Sequence, residues 1–183
     1  MSRNDNAAFH VASSTKETRF GYAFVASGCK CGQFHREWGT FSAADITALT
    51  SSNSNKPGYA YEGDPKLGRI ESGLTGRAFP VNKLAFKPED DETTYADIAA
   101  GEQVIYYTQG EFISDQYDKD PSTGISGTGA AFGNYLKLTV SGWLTEEASA
   151  ETETTASVAV LIKHLTGGAG NTSKERVWFR LLQ

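Results

Sequence analysis

The residues best suited to chemistry lie close together near the N-terminus: Cys29-Lys30-Cys31, with His35 four positions further on. Two thiolates and an imidazole within so short a stretch could take three corners of a tetrahedral zinc site. The spacing is C-x-C-x3-H rather than the usual C-x2–4-C, and the chain has no second cysteine pair. A fourth ligand would have to come from His10, His164 or a carboxylate. Two reduced thiols beside a structural histidine fit this pattern better, so neither a metal nor another cofactor is expected. A Cys29–Cys31 disulfide would be strained. A Cys31–His35 dyad would need both side chains on one rigid element, whereas CKCGQFH has the composition of a turn.

The other chemical sets are weaker. Gly127-Thr-Gly129-Ala-Ala-Phe-Gly133 is glycine-rich like a phosphate loop, but a strand pattern follows it where a helix is needed, and no P-loop lysine is present. Asp118-x-Asp120-x-Ser122 starts like a calcium loop, yet its glycine comes one place late and no closing Glu follows. There is no G-x-S-x-G elbow, and His164 shares a face with Val158, Val160 and Ile162, as structural histidines do. A carboxylate pair able to cleave glycosides cannot be picked out of 22 acidic residues. Tyr59, Tyr61, Tyr106, Tyr107, Tyr117 and Trp143 could build a sugar-stacking platform, although most aromatics of a β protein serve the core or an interface. No catalytic set emerges, and a non-enzymatic protein is the expectation.

The elements that would position these residues are mainly strands. Hydrophobic residues make up 39% of the chain and charged ones 21%, with 19 Gly among many Ser and Thr, a composition of turn-rich β proteins. At 183 residues one domain, with or without a long arm, can bury a core without staples. A net charge of −5 argues against a phosphate-binding surface, so nucleic acid is not an expected partner. No apolar run approaches membrane-span length, and the polar start lacks the pattern of a signal peptide, so cytoplasmic synthesis without a membrane partner is expected.

Along the chain, residues 1–18 read as a polar arm with Phe9 and Val11 as isolated apolar anchors. Residues 19–26 predict a strand with Phe20, Tyr22 and Phe24 on one face, and residues 34–41 are expected to continue a sheet. Ser42 and Asp45 form a capping box, with Phe41 and Ile46 as its hydrophobic staple, for one short helix over residues 43–49. A weaker capping pattern recurs at residues 94–97. The glycines of residues 58–76 suggest an extended segment lying over a surface. Residues 77–86 predict a strand that Pro80 confines to an edge or a bulge. Residues 103–108 and 111–114, around Gly110, predict one bent strand or a tight hairpin. The clearest alternation spans residues 135–182, as three strands at 135–144, 156–165 and 176–182. Leu136, Leu138, Val140 and Leu144 share the buried face of the first. The fold class is therefore mainly β: an antiparallel β-barrel or sandwich over residues 77–183, one short helix, and an extended arm or small subdomain over residues 1–76.

The stretches AGEQVIYYTQGEFISDQYD, GNYLKLTVSGWLTEE, ASVAVLIKHLTGG and RVWFRLL, separated by a Gly-rich link and an acidic turn, give residues 100–183 a strand rhythm. That rhythm resembles the capsid decoration, or cement, proteins of tailed bacteriophages. The resemblance implies a small β-barrel that binds the outside of an assembled capsid, touches the major capsid protein, cements neighbouring capsomers, and often self-associates as a homotrimer. On that reading the protein resides on the virion, and its partner contacts are expected at Phe9, Val11, Tyr59, Tyr61, Tyr117 and Trp143. The alternative is a β-sandwich carbohydrate-binding module of a phage tail or fibre, and the third reading is a glycan-cleaving enzyme.

Overall fold

Strands form where apolar side chains recur at every second position. Along β13 (Arg176–Leu181), Val177, Phe179 and Leu181 are buried while Arg176, Trp178 and Arg180 are only half-buried. The computed structural model describes residues 9–12, 17–52, 60–84, 97–119, 124–125, 131–147, 151–165 and 175–182. β13 pairs with β12 (Ala159–Leu165) on one side and β9 (Glu111–Ser114) on the other, both antiparallel. The register sets Ala159 opposite Leu181 and Leu161 opposite Phe179, so one face of this hairpin is apolar up to the bulge after Leu161, beyond which His164 stands opposite Val177. Adding β1 (Phe9–Val11), β10 (Tyr135–Leu138) and β11 (Leu144–Glu146) gives a six-stranded antiparallel sheet in the order β1-β9-β13-β12-β10-β11.

Five further strands close a barrel: β2 (Arg19–Val25), β5 (Pro65–Arg69), β4 (Phe34–Thr40), β6 (Ala78–Lys83) and β8 (Gln103–Gln109), in that order around the wall. Only the β2–β5 pair is parallel. β3 (Cys29–Lys30) and β7 (Asp97–Ile98) make a small antiparallel ribbon. The short helix α1 (Ala43–Ser52) lies on the outer wall of β2, where Ile46 and Leu49 cover Phe24 and Phe41. Its start is a capping box: Ser42 N–H donates to Asp45 Oδ2 at 3.0 Å, and Asp45 N–H donates back to Ser42 Oγ at 3.3 Å.

Barrel and sheet share one core. Phe34 of β4 and Tyr107 of β8 meet Phe179, Phe112 and Phe9 of the sheet. Successive ring centroids lie 6.3 Å (Phe34–Phe179), 5.8 Å (Phe179–Phe112), 4.7 Å (Phe112–Tyr107) and 5.3 Å (Phe112–Phe9) apart. These are distances at which aromatic pairs attract. The chain crosses from barrel to sheet at Gly110, where both φ +137° and the closeness of the Phe112 ring and Thr18 Oγ1 to a Cβ position favour glycine.

The mainly β class, the barrel, the antiparallel sheets and the short helix α1 follow the sequence expectation. Several particulars differ. The closed barrel lies over residues 19–109 and contains one parallel pair, while residues 135–182 form an open antiparallel sheet. The division expected at residue 76 is crossed by the barrel, which takes β2, β4 and β5 from one side of it and β6 and β8 from the other. The expected arm is, at residues 9–11, a strand paired to β9, and the expected surface segment contains β5, a barrel stave with Leu67 buried. Pro80 lies in a barrel stave with no free edge: its missing N–H falls opposite Phe34, whose own N–H donates to Gly142 O at 2.9 Å.

The strand expected at residues 135–144 is a hairpin. Thr139 and Gly142 close its turn, since Thr139 N–H donates to Trp143 O at 2.8 Å and Gly142 N–H to Thr139 O at 3.0 Å. Val140, expected on the buried face, sits at the tip and is 81% exposed. Residue 97, where the second capping pattern ends, begins the ribbon strand β7 rather than a helix, and residues 94–96 lie outside the described residues. The bent-strand reading holds at Gly110, where β8 leaves the barrel and β9 joins the sheet.

Candidate functional site

The β3–β4 turn is where barrel and sheet are tied by hydrogen bonds, because two side-chain and backbone contacts converge there. Gln33 is buried; its Nε2 donates to Ser141 O at 2.7 Å and its Oε1 accepts from Lys30 N–H at 3.1 Å. Phe34 N–H binds Gly142 O, and Gly142 has φ +80°, with Phe34 O only 2.6 Å from where a Cβ would sit. Glycine is needed there for both reasons. The tip of the β10–β11 hairpin is thereby seated against the ribbon and the barrel mouth.

Between these parts lies an open cleft of about 490 Å³, within the range of small-molecule sites. The ribbon contributes Cys29, Lys30, Asp97 and Ile98 to its lining. Arg69 and Glu71, from the end of β5 and the following turn, form a second wall, and Ser141 and Trp143 of the hairpin form the third. Lys30 Nζ is 2.5 Å from Asp97 Oδ1, and Arg69 is ion-paired to Glu71. Both pairs are partly exposed to solvent. They set direction more than stability.

The residues with which the sequence argument began are dispersed over different surroundings. Cys29 and Cys31 are buried, reduced thiols. Burial pushes Cys29 up to about 12, helped by the neighbouring Cys31, and pushes Cys31 up to about 11. Thiols raised this far are protonated at neutral pH and are poor nucleophiles. His35 follows Phe34 and so points to the opposite side of β4, into the barrel. Its Nδ1–H donates to Gln33 O at 2.9 Å, and its buried Nε2 has no hydrogen-bond partner among the described residues. Desolvation lowers its pKa to about 4, with the Arg69 charge acting in the same direction and the Gln33 bond opposing. No three His, Cys, Asp or Glu side chains among the described residues form a metal-holding group.

No protein-family model, curated protein or solved structure matches this chain. The resemblance of residues 100–183 to decoration proteins thus rests on strand rhythm alone.

The expected contact residues fall into three settings. Phe9 is fully buried in the shared core and Tyr117 nearly so, which corrects the expectation that they present rings to a partner. The Tyr117 hydroxyl lies 3.1 Å from Glu175 Oε2 and 3.2 Å from His164 Nε2, joining the ends of β12 and β13. Val11 and Tyr61 are on the surface, at 40% and 74% exposure. Trp143 is half-buried and lines the cleft, and Tyr59 lies outside the described residues. Of the possible calcium ligands, Asp118 Oδ2 accepts from Thr145 Oγ1 at 3.0 Å, while Asp120 is outside the described residues.

Two exposed rings and the cleft charges were missed from sequence. Phe20 and Tyr22 stand 54% and 53% exposed with their rings in edge contact at 5.8 Å, and Phe20 also meets Tyr107. The period-two face of Phe20, Tyr22 and Phe24 was legible, but α1 covers only Phe24. No sequence signal fixes how far a helix reaches along a strand. Lys30, the neighbouring Arg69 and Glu71, and Asp97 come from three distant places in the chain and meet only through the parallel β2–β5 pair and the ribbon.

Proposed function

We propose that this is a non-enzymatic structural protein of a tailed-phage virion, one that binds the outside of the assembled capsid and bridges neighbouring capsomers by contacts with the major capsid protein. The reading rests on an open sheet edge lying beside exposed aromatic rings. Among the described residues β1 pairs with β9 alone, so its other side offers unpaired backbone donors and acceptors. Ala12 N–H donates to Glu111 O at 2.9 Å, and Thr18 Oγ1 packs against Gly110, so the end of β1 and the start of β2 meet at the same crossover. From there β2 presents Phe20 and Tyr22 outward. An edge that can accept a strand supplies affinity through the main chain, and adjacent rings supply apolar area. Repetition over a capsid lattice adds avidity, so a small contact per copy suffices.

Co-expression with the major capsid protein of the same genome, followed by sedimentation of the assembled shells, tests this reading. The chain should travel with the shells, and a Phe20→Ser, Tyr22→Ser double variant should stay behind. Intact shells that leave the unaltered chain in the supernatant would refute it.

A further inference from the structure

The cleft between ribbon, barrel mouth and hairpin has features that the capsid reading does not use. Its walls are fixed before any ligand arrives, through the Gln33 bonds to Ser141 and Lys30 and the seating of Gly142 on Phe34. Binding to a preformed site avoids most of the ordering cost. Its formal charges cancel: Lys30 and Arg69 are positive, Asp97 and Glu71 negative, and each cation is paired with an anion. A phosphate or sulfate would meet two carboxylates, and an ammonium ligand would meet two cations. A neutral ligand encounters neither penalty.

Each ion pair also places a strong donor next to a strong acceptor. A hydroxyl donates to the carboxylate and accepts from the ammonium or guanidinium at the same time, using both of its capacities. Two such pairs in one cleft suit a ligand carrying several hydroxyls. Trp143 and Ile98 add an apolar wall, which a polyol made only of hydroxyls would waste but a pyranose, with its face of C–H groups, would cover. We propose that this cleft is a binding site for a neutral saccharide, with Trp143 as the stacking surface and the Lys30–Asp97 and Arg69–Glu71 pairs as the hydroxyl-binding groups. The proposal stands independently of capsid attachment.

The test uses the full-length chain on a glycan array carrying neutral, sialylated and sulfated glycans, followed by titration of the neutral hits against tryptophan fluorescence. Binding should be confined to neutral glycans and change little between low and moderate salt. Asp97→Asn and Glu71→Gln, both at partly exposed positions, should each weaken it about tenfold. Trp143→Ala should abolish it, with an unchanged circular dichroism spectrum confirming that the variant is folded. Phe132→Ala, an exposed ring outside the cleft lining, should bind as the unaltered chain does. Three results would overturn the proposal: no neutral glycan bound, binding only to sulfated or sialylated glycans, or neutral binding untouched by both Asp97→Asn and Glu71→Gln. A blank array beside normal capsid co-sedimentation would remove the saccharide site and leave the capsid reading in place.

Discussion

The six-stranded sheet fills its share of the core mostly with apolar side chains in alternation, Phe179 facing Leu161 and Leu181 facing Ala159 across a local hairpin, with Val177 facing His164. The barrel fills its share differently. Ala23 and Val25 of β2 are small, His35 is polar, and Gly21 leaves room for the Tyr106 ring, whose atoms would lie 2.6 Å from a Cβ there. Gly68 likewise lies beneath Trp38 and Leu74. Volume in the sheet comes from many interchangeable apolar groups, whereas closure of the barrel depends on a few positions having no side chain. Sheet stability should therefore be tolerant of conservative changes, and barrel stability should be sensitive to single atoms.

The largest expected effect breaks the seam that makes the two regions one body. Phe112→Ala removes the ring that meets Phe9, Tyr107 and Phe179 and should cost about 3–5 kcal/mol. Denaturant unfolding followed by far-UV dichroism and by tryptophan fluorescence should still give coincident curves. Separate transitions for barrel and sheet would show that the core is not shared in the energetic sense.

Next in size is a pH effect confined to the barrel. His35 titrates at about 4 in the folded chain against an ordinary value of 6.5, so unfolding takes up a proton between those two values. Its contribution is fully present above pH 6.5 and is lost as pH falls towards 4, for a total of about 3 kcal/mol. The stability of His35→Leu, measured by urea titration, should fall less over that window than that of the unaltered chain. Equal slopes would mean that His35 is not desolvated as described.

A pair of substitutions then sharpens the contrast between the regions. Gly21→Ala should cost about 2 kcal/mol, because the Tyr106 ring has to move, while Leu161→Met in the sheet should cost about 1 kcal/mol or less. Thermal melts of the two variants side by side test this, and equal costs would erase the distinction. An effect of similar small size concerns α1, outside both: Ser42→Ala removes one half of the capping box for about 1 kcal/mol. The same melts read it.

The two regions were also unequally legible in the sequence. β13, and β12 up to its bulge between Leu161 and Lys163, could be read almost residue by residue, because the two pair with each other and alternate regularly there. The capping box and staple of α1 were legible for the same reason, being entirely local. In residues 135–144 the alternation of Leu136, Leu138, Val140 and Leu144 reads as one strand, whereas Gly142 turns the chain back into a hairpin. The barrel was hidden because β2 pairs with β5 and β8, respectively about 40 and 80 residues away, and because its glycines look like loop residues until a ring is seen lying over them. The cleft was hidden with it. Trp143 was named as a candidate, yet nothing in the order of residues brings Lys30, Asp97, Arg69 and Glu71 beside it.

The central functional claim is that the chain docks through the edge of β1 and the neighbouring rings of β2. Hydrogen exchange, read by mass spectrometry on the free chain and on the chain bound to assembled shells, tests it most directly. The account predicts slowed exchange at residues 9–12 and 19–22 on binding, with the cleft ribbon at residues 29–30 and 97–98 unchanged. Protection that appears only elsewhere, or nowhere in a chain that co-sediments, would contradict it.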